Sequence, residues 1–224
     1  MIPENAELIL ITLDNYLNYA NIPDYIVKKF NDGLITYTTY SDVLRNYLIR
    51  DNGGLWIDSS VFVSNKISKE FIDSNEWWSA NLCNNNNNIV NFGQKISQRK
   101  WSGFLQKGTK NNLLNNFVCE AFELYYMNHD VLIDYFIQNL FIRIAYDNIV
   151  NIQNIIDKIT VNNTHVYSLY DNIDLAFDKK QYDLWNEDTI FYKMTQKRSY
   201  NEFTNDEKLT YYGKIKSICE ESEK

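Results

Sequence analysis

The feature that most constrains this chain is a long stretch, residues 109–212, that contains neither proline nor glycine. These two residues interrupt helices more than any others, so their absence allows long helices to form. Between residues 113 and 159 apolar side chains recur three and four positions apart, which is the spacing of one helix face. They are Phe117, Ala121, Leu124, Leu132, Tyr135, Phe136 and Leu140. We therefore expect three or four helices and a mainly helical second half.

The first half of the chain combines short apolar runs with helix signals. Residues 6–13 are almost continuously apolar, which is typical of a strand buried on both faces of a parallel sheet. Residues 34–40 alternate Ile, Tyr and Thr and predict a second strand, and residues 55–57 predict a third. Helices are predicted over residues 24–30 and 43–50, each closed by a following glycine. The chain is therefore expected to be an α/β protein.

Composition excludes several classes of protein. With 224 residues, 45% hydrophobic and 15% aromatic, the chain can bury a sizeable core and is not intrinsically disordered. Its net charge of −7 argues against nucleic acid as a partner, because phosphates need a basic face. Its three cysteines are too scattered for a disulfide framework or a zinc site. No run approaches ~20 apolar residues, and the start shows no secretory signal, so we expect a cytoplasmic protein.

Residues with chemical potential gather between positions 40 and 62. Asp42 and Arg45 are three apart, so on a helix they share one face. The Gly53-Gly54 pair gives a bare backbone turn that a ligand can approach closely. The next predicted strand delivers Asp58 and Ser60 to one side of its end. A carboxylate and a hydroxyl placed together can hold a hydrated divalent cation or a ribose hydroxyl.

Each of these features also has a purely structural interpretation. Asp42 and Arg45 can form a surface ion pair worth well under ~1 kcal/mol, Asp42 can cap its helix, and two glycines can be a turn. Trp101, next to a glycine-bearing loop, can stack on a sugar or pack in the core. Lys193 and Lys197 can neutralise a diphosphate or form a solvated basic face. The occurrence of several such features within one short window favours a binding site.

Two blocks of sequence carry a family resemblance: Ser41-Asp42-Val43-Leu44-Arg45 and Gly53-Gly54-Leu55-Trp56-Ile57-Asp58-Ser59-Ser60. They resemble the sugar-nucleotide signature of glycosyltransferases with the GT-A fold. The resemblance is greatest to the capsular polysaccharide synthesis branch, which is related to glycosyltransferases with a DXD sugar-binding motif. It implies one GT-A-like domain over residues 1–224, with a Rossmann-type mixed sheet in the first half and a mainly helical second half. We expect residues 217–224 to be a frayed tail and residues 84–88 to be a solvent loop.

The resemblance also implies roles for individual residues. The family's Asp and Arg that contact the donor correspond to Asp42 and Arg45, and the first DXD acid, which contacts metal and ribose, corresponds to Asp58. The last DXD position is Ser60 here, so a Mn²⁺ or Mg²⁺ ion held by Asp58 and Ser60 would lack one anionic ligand. We expect Asp58 and Arg45 to be catalytic. The expected substrate-binding residues are Ser41, Asp42, Arg45, Gly53, Gly54, Asp58, Ser60, Trp101 and Lys193.

Two functions are compatible with these observations. In the first, the chain is a hexosyltransferase-like enzyme that moves a sugar from a nucleotide-sugar donor to a glycan or lipid-linked saccharide acceptor in capsular or surface polysaccharide synthesis. In the second, it is a catalytically inactive remnant that acts as a binding or scaffold protein. The second is motivated by Ser60 and by the expected lack of a strand and helix that family members carry ahead of the segment near Ala6. An unpaired sheet edge would allow the chain to form a homo-oligomer. A lipid-linked acceptor would bring the chain into peripheral contact with the inner face of the membrane.

Overall fold

The computed structural model describes residue 3 and residues 6–74, 76–83 and 92–222 of the chain. It is a mixed α/β protein, about 47% helical, with small antiparallel sheets. The chain divides into two compact units. The larger unit is formed by Ile2–Ile57 and Ser68–Val161, and the smaller unit by Asp58–Ile67 and Asn162–Lys224.

The larger unit is mainly helical. Its core is a layer in which α5 packs against both α2 and α6, with Tyr47 and Phe122 fully buried. Thr36 and Asn112 begin α2 and α5, because each side chain accepts a hydrogen bond from the backbone N–H three residues later. After a 3₁₀ turn at Tyr16–Asn18, the helices are α1 (Asp24–Asn31), α2 (Tyr37–Asn52), α3 (Lys69–Asp73), α4 (Phe92–Ser97), α5 (Leu113–Asn128), α6 (Ile137–Asn148) and α7 (Val150–Asp157).

The strands are short and pair only in the antiparallel sense among the described residues. They are β1 (Gly54–Ile57), β2 (Val61–Val63), β3 (Trp77–Ser79), β4 (Leu105–Gly108) and β5 (Phe191–Lys193). In the larger unit they form a sheet of order β1-β4-β3, in which Gly54 lies opposite Gly108. Gly53 makes the turn from α2 into β1 with a φ of +75°, where only glycine is unstrained.

The smaller unit is built on the β2–β5 pair, in which Val61 lies opposite Lys193. Its helices are α8 (Ser168–Asn172), α9 (Lys179–Trp185) and α10 (Tyr211–Ser222). An aromatic and aliphatic cluster fills its interior, and burial of such side chains is the main source of its stability. The cluster comprises Leu169, Ile173, Trp185, Tyr192 and Tyr211.

Several predicted elements are confirmed. Residues 24–30 lie in α1, residues 43–50 lie in α2, and residues 55–57 lie in β1. Helices α5, α6 and α7 lie within residues 113–157, where the apolar spacing predicts helices, but Leu132, Tyr135 and Phe136 of that spacing lie in the connection between α5 and α6. The glycine-free stretch also contains α8 and α9, so it holds five helices where three or four were expected.

Two predicted strands are wrong, and with them the parallel sheet. Residues 34–40 turn into a helix that starts at Tyr37. Residues 6–13 have no strand partner among the described residues, and Leu8 and Leu10 are 74% and 77% exposed. A strand exists only where a neighbouring strand supplies hydrogen bonds, so an apolar run alone does not make one. Because the described strands pair only in the antiparallel sense, the Rossmann-type mixed sheet is not confirmed. The single domain over residues 1–224 stays a prediction.

Residues 217–222, where we expected a frayed tail, continue α10 to Ser222. The loop expected at residues 84–88 lies outside the described residues. Within the part of the chain that the structure describes, no helix combines the length and the apolar character needed to cross a bilayer.

Candidate functional site

A tight turn positions Asp58 and Ser60. Strand β1 ends at Ile57, and the Val61 N–H donates to the Asp58 carbonyl at 2.9 Å, which closes a four-residue turn. Strand β2 begins at Val61 and pairs with β5, and the Met194 N–H donates to the Ser60 carbonyl at 2.7 Å. This pairing brings the end of β5 alongside the turn.

Lys193, the last residue of β5, completes a cluster with Asp58 and Ser60, which we call the Lys193 cluster. Its ammonium donates to Asp58 Oδ2 at 3.0 Å and to Ser60 Oγ at 2.6 Å. Its backbone N–H donates to the Val166 carbonyl at 2.8 Å, so the strand is also held on its other side. The Lys193 and Asp58 side chains are each 23% exposed. The three predicted residues are therefore brought together, and they remain accessible to a ligand.

The donor set of this cluster does not fit a divalent metal ion. Mg²⁺ and Mn²⁺ favour several hard oxygen ligands, usually including carboxylates, whereas this cluster offers one carboxylate and one hydroxyl that both accept from an ammonium. A divalent ion about 4 Å from that ammonium would be repelled by roughly 8 kcal/mol at an effective dielectric constant of about 20. Across the described residues, no group of three or more His, Cys, Asp and Glu side chains could hold a metal. The two oxygens suit the ammonium that they hold.

The Lys193 cluster can place a fixed positive charge beside a phosphate. An ammonium is a compact point charge with several donors, and it is a common phosphate ligand in proteins. Lysine chains are flexible, and two oxygen acceptors reduce the number of positions that this one adopts. The Asp58 carboxylate is an acceptor in the same place, as a ribose hydroxyl requires.

A second group of predicted residues lies in the larger unit, around Arg45. Arg45 Nη1 is 2.9 Å from Asp42 Oδ1, and Nη2 donates to Ser41 Oγ at 3.3 Å. The predicted pairing of Asp42 and Arg45 on one helix face is confirmed. The guanidinium also donates to the Gly103 carbonyl at 2.6 Å and lies over the Trp56 ring. Arg45 is only 6% exposed, whereas the Asp42 side chain is 16% exposed. The geometry therefore suits Arg45 for orienting Asp42 more than for contacting a ligand itself.

The glycine pair is structural at its first position and open at its second. A Cβ at Gly53 would lie 2.9 Å from the Lys110 backbone nitrogen, so no side chain fits there. Gly54 has a φ of +100°, and a Cβ built on it would meet nothing within 4 Å. The space beside Gly54, at the start of β1, is thus open, and its use by a ligand stays a prediction.

Trp101 lies in the packed interior, where a sugar cannot stack on it. It is 2% exposed, its indole N–H donates to Asn139 Oδ1 at 3.1 Å, and its ring contacts Tyr146. Burial of a large ring and satisfaction of its single donor are the usual features of a core tryptophan. The predicted sugar-stacking role is therefore wrong, and the core interpretation holds.

Sequence reasoning missed two partners of Arg45. The first is Gly103, where a Cβ would lie 2.8 Å from Arg45 Nη1; the glycine next to Ser102 was the available signal. The second is Gln138 of α6, whose Oε1 accepts from Arg45 at 3.4 Å. Nothing in the sequence around Gln138 indicates that contact, because it joins positions far apart in the chain.

Lys107 is a further buried cation, and its role is structural. It is 1% exposed, and its ammonium donates to the Phe71 and Ile72 carbonyls and to Ser74 Oγ at 2.5, 3.2 and 3.3 Å. Burial lowers the pKa of this lysine. The contacts satisfy the carbonyls at the end of α3, so Lys107 stabilises that helix end.

Comparison with known families identifies the class of protein. The model of a family described as capsular polysaccharide synthesis protein matches residues 2–215. The chain belongs to that family, and the predicted resemblance is confirmed. No curated protein and no solved structure matches the chain.

Proposed function

We propose that the chain is a glycosyltransferase that transfers a sugar from a nucleotide-sugar donor to a glycan acceptor in capsular polysaccharide synthesis. The family supports a role in capsule synthesis. The observation that carries the proposal is the Lys193 cluster, in which a carboxylate, a hydroxyl and an ammonium meet directly after the Gly53–Ile57 block and stay partly exposed. A nucleotide sugar presents ribose hydroxyls and a diphosphate, which such a cluster can bind.

Each residue of the proposed site has a distinct role. Asp58 accepts hydrogen bonds from the ribose and holds the Lys193 ammonium in place. Lys193 lies against the diphosphate and stabilises the negative charge that develops as it leaves. The Asp42–Arg45 pair lies in the larger unit and is not part of this cluster; within that unit Arg45 is a positioning residue for the Asp42 carboxylate.

The transfer itself is a substitution at the anomeric carbon. The acceptor hydroxyl oxygen forms a bond to that carbon, and the bond from the carbon to the β-phosphate oxygen breaks. The electron pair of the broken bond leaves with the nucleoside diphosphate, and the hydroxyl proton is released to water. Lys193 lowers the barrier because its charge is already in position when the diphosphate gains negative charge.

The test is the release of nucleoside diphosphate from a panel of UDP- and GDP-sugars by the full chain and by Asp58→Asn. We expect the substitution to reduce turnover by at least ~100-fold, because the ammonium loses its charged anchor. The Asp58–Lys193 pair is partly exposed, so the stability loss should stay within about 1 kcal/mol. Asp206→Asn, which changes an exposed aspartate of the same unit, should leave turnover unchanged.

The alternative, an inactive binding or scaffold protein, predicts a different result. In that case the full chain releases no nucleoside diphosphate from any donor, with or without added Mn²⁺ and glycan acceptor. Turnover that is the same in Asp58→Asn and in the unsubstituted chain would instead contradict the assignment of the site.

A further inference from the structure

We infer that Lys193 supplies the cation of the donor site, so that the nucleotide diphosphate binds without a divalent metal ion. The inference rests on the proposed function, and it concerns how that site neutralises its substrate. It reverses the expectation of a Mn²⁺ or Mg²⁺ ion at Asp58 and Ser60.

The first argument is the position of the ammonium. The two oxygens that were expected to ligate a metal, Asp58 Oδ2 and Ser60 Oγ, are 3.0 and 2.6 Å from Lys193 Nζ. A metal ion bound to the same atoms would lie against a positive charge. The ammonium therefore takes the position, the ligands and part of the charge that a metal would have had.

The second argument is how firmly Lys193 is placed. Its backbone pairs with Val61 on one side and donates to the Val166 carbonyl on the other. The following residue, Met194, donates to the Ser60 carbonyl at 2.7 Å. A lysine on a strand held on both sides keeps its charge near the turn of Asp58, which preorganises the site for an anion.

The third argument is the residue at position 60. A serine there matches an ammonium, because a hydroxyl accepts the hydrogen bond without adding a second negative charge. With one carboxylate and one ammonium the cluster is neutral before the donor binds. A second carboxylate at position 60 would make it negative, and the diphosphate would then need a metal ion to be bound.

The experiment is calorimetric titration of the full chain with UDP, GDP, CDP and ADP and with UDP- and GDP-sugars, first in EDTA and then with Mn²⁺ or Mg²⁺. We expect the best-bound diphosphate to bind in EDTA, with a Kd that changes by less than about twofold when metal is added. Binding that appears only with metal would overturn the inference and leave the proposed function standing. Failure of every diphosphate and of the nucleotide sugars to bind, with or without metal, would overturn the proposed function and this inference with it.

Substitutions then test Lys193 itself. Lys193→Met should weaken binding of the diphosphate by about 10- to 100-fold, the usual effect of losing a charged hydrogen bond. The matching monophosphate should lose less, because its β-phosphate is absent; equal losses would indicate a merely structural role. Lys193→Arg, which keeps the charge, should restore most of the affinity. Lys180→Met removes an exposed charge of the same unit and should change the Kd by less than about twofold. Equal Kd values for Lys193→Met and Lys180→Met would overturn the inference.

Discussion

Replacing Arg45 by Met should destabilise the larger unit far more than replacing Arg143 by Met. Both arginines pair with an aspartate on their own helix. Arg45 Nη1 lies 2.9 Å from Asp42 Oδ1 in α2, and Arg143 Nε lies 2.7 Å from Asp147 Oδ2 in α6. The pairs differ in burial: the side chains of the first are 7% and 16% exposed, and those of the second 29% and 44%.

The magnitude follows from what each arginine leaves behind. Without the Arg45 guanidinium, the Asp42 carboxylate, the Gly103 carbonyl and Gln138 Oε1 all lose this donor in a nearly closed environment. Breaking a buried ion pair costs ~3–5 kcal/mol, and the residual exposure of Asp42 puts the expected loss at about 3 kcal/mol. An exposed pair within one helix, such as that of Arg143, contributes about 0.5 kcal/mol.

The assay is urea unfolding followed by tryptophan fluorescence. Four of the five tryptophans, Trp56, Trp77, Trp78 and Trp101, lie in the larger unit, so the signal reports mainly on it. Arg45→Met should lower the midpoint without changing the slope. Combining Arg45→Met with Asp42→Asn should give a coupling energy above about 2 kcal/mol, against less than about 0.5 kcal/mol for Arg143 with Asp147. If Arg45→Met lowers the free energy of unfolding no more than Arg143→Met, the reasoning is refuted.

Two further predictions concern stability. Gly33→Ala should lower the free energy of unfolding by about 1 kcal/mol, because φ is +77° there although the added Cβ meets only open space. Gly53→Ala should lower it by at least ~1 kcal/mol more, because its Cβ also meets the Lys110 backbone nitrogen. Equal losses for the two variants in urea unfolding would contradict this. Among the tyrosines whose pKa burial raises above the ordinary value of 10.0, four are shifted most, so the folded chain keeps protons that the unfolded chain loses. Their stabilisation is complete below pH 10 and is lost as the pH rises above it. The four are Tyr40, Tyr47, Tyr126 and Tyr192. Tyrosinate absorbance and circular dichroism, followed together, should show that these four ionise only as the chain unfolds. Ionisation of every tyrosine while the chain is still folded would disprove the assignment.

The sequence predicted helices better than strands for a physical reason. Helical hydrogen bonds join residues four apart, so the spacing in residues 113–159 carries most of the information that α5, α6 and α7 need. Strand β4 was not predicted, because its existence depends on β1 and β3, which are far away in the chain. The end of α2 was predicted at the Gly53-Gly54 pair, since a helix stop is also a local property.

Residues 34–40 show how local signals compete. Their alternating β-branched and aromatic side chains favour a strand. However, Thr36 caps a helix by accepting from the Thr39 N–H at 3.2 Å, and the Tyr40 ring stacks on Phe30 at a centroid distance of 3.9 Å. Neither the Thr36 cap nor the stacking was predicted from the sequence. Tertiary packing decided the outcome.

In the candidate site, too, contacts between residues close in sequence were predicted and contacts between distant residues were not. The spacing of Asp42 and Arg45 was sufficient to predict their contact, because three residues along a helix bring two side chains together. Lys193 was singled out for its charge, but its distance of 135 positions from Asp58 concealed their contact. The metal expected at Asp58 came from the resemblance, and that resemblance carries no information about which side chain lies beside the carboxylate.

The discontinuity of the smaller unit has a consequence for biosynthesis. Its first segment, Asp58–Ile67, leaves the ribosome long before Asn162–Lys224, whereas the larger unit is complete once Val161 has been made. Since units fold as they emerge, the larger unit can fold before Lys193, which lies 135 positions after Asp58, has been made. A polypeptide that stops at Val161 would thus carry an intact helical layer and only one strand, β2, of the pair on which the smaller unit is built.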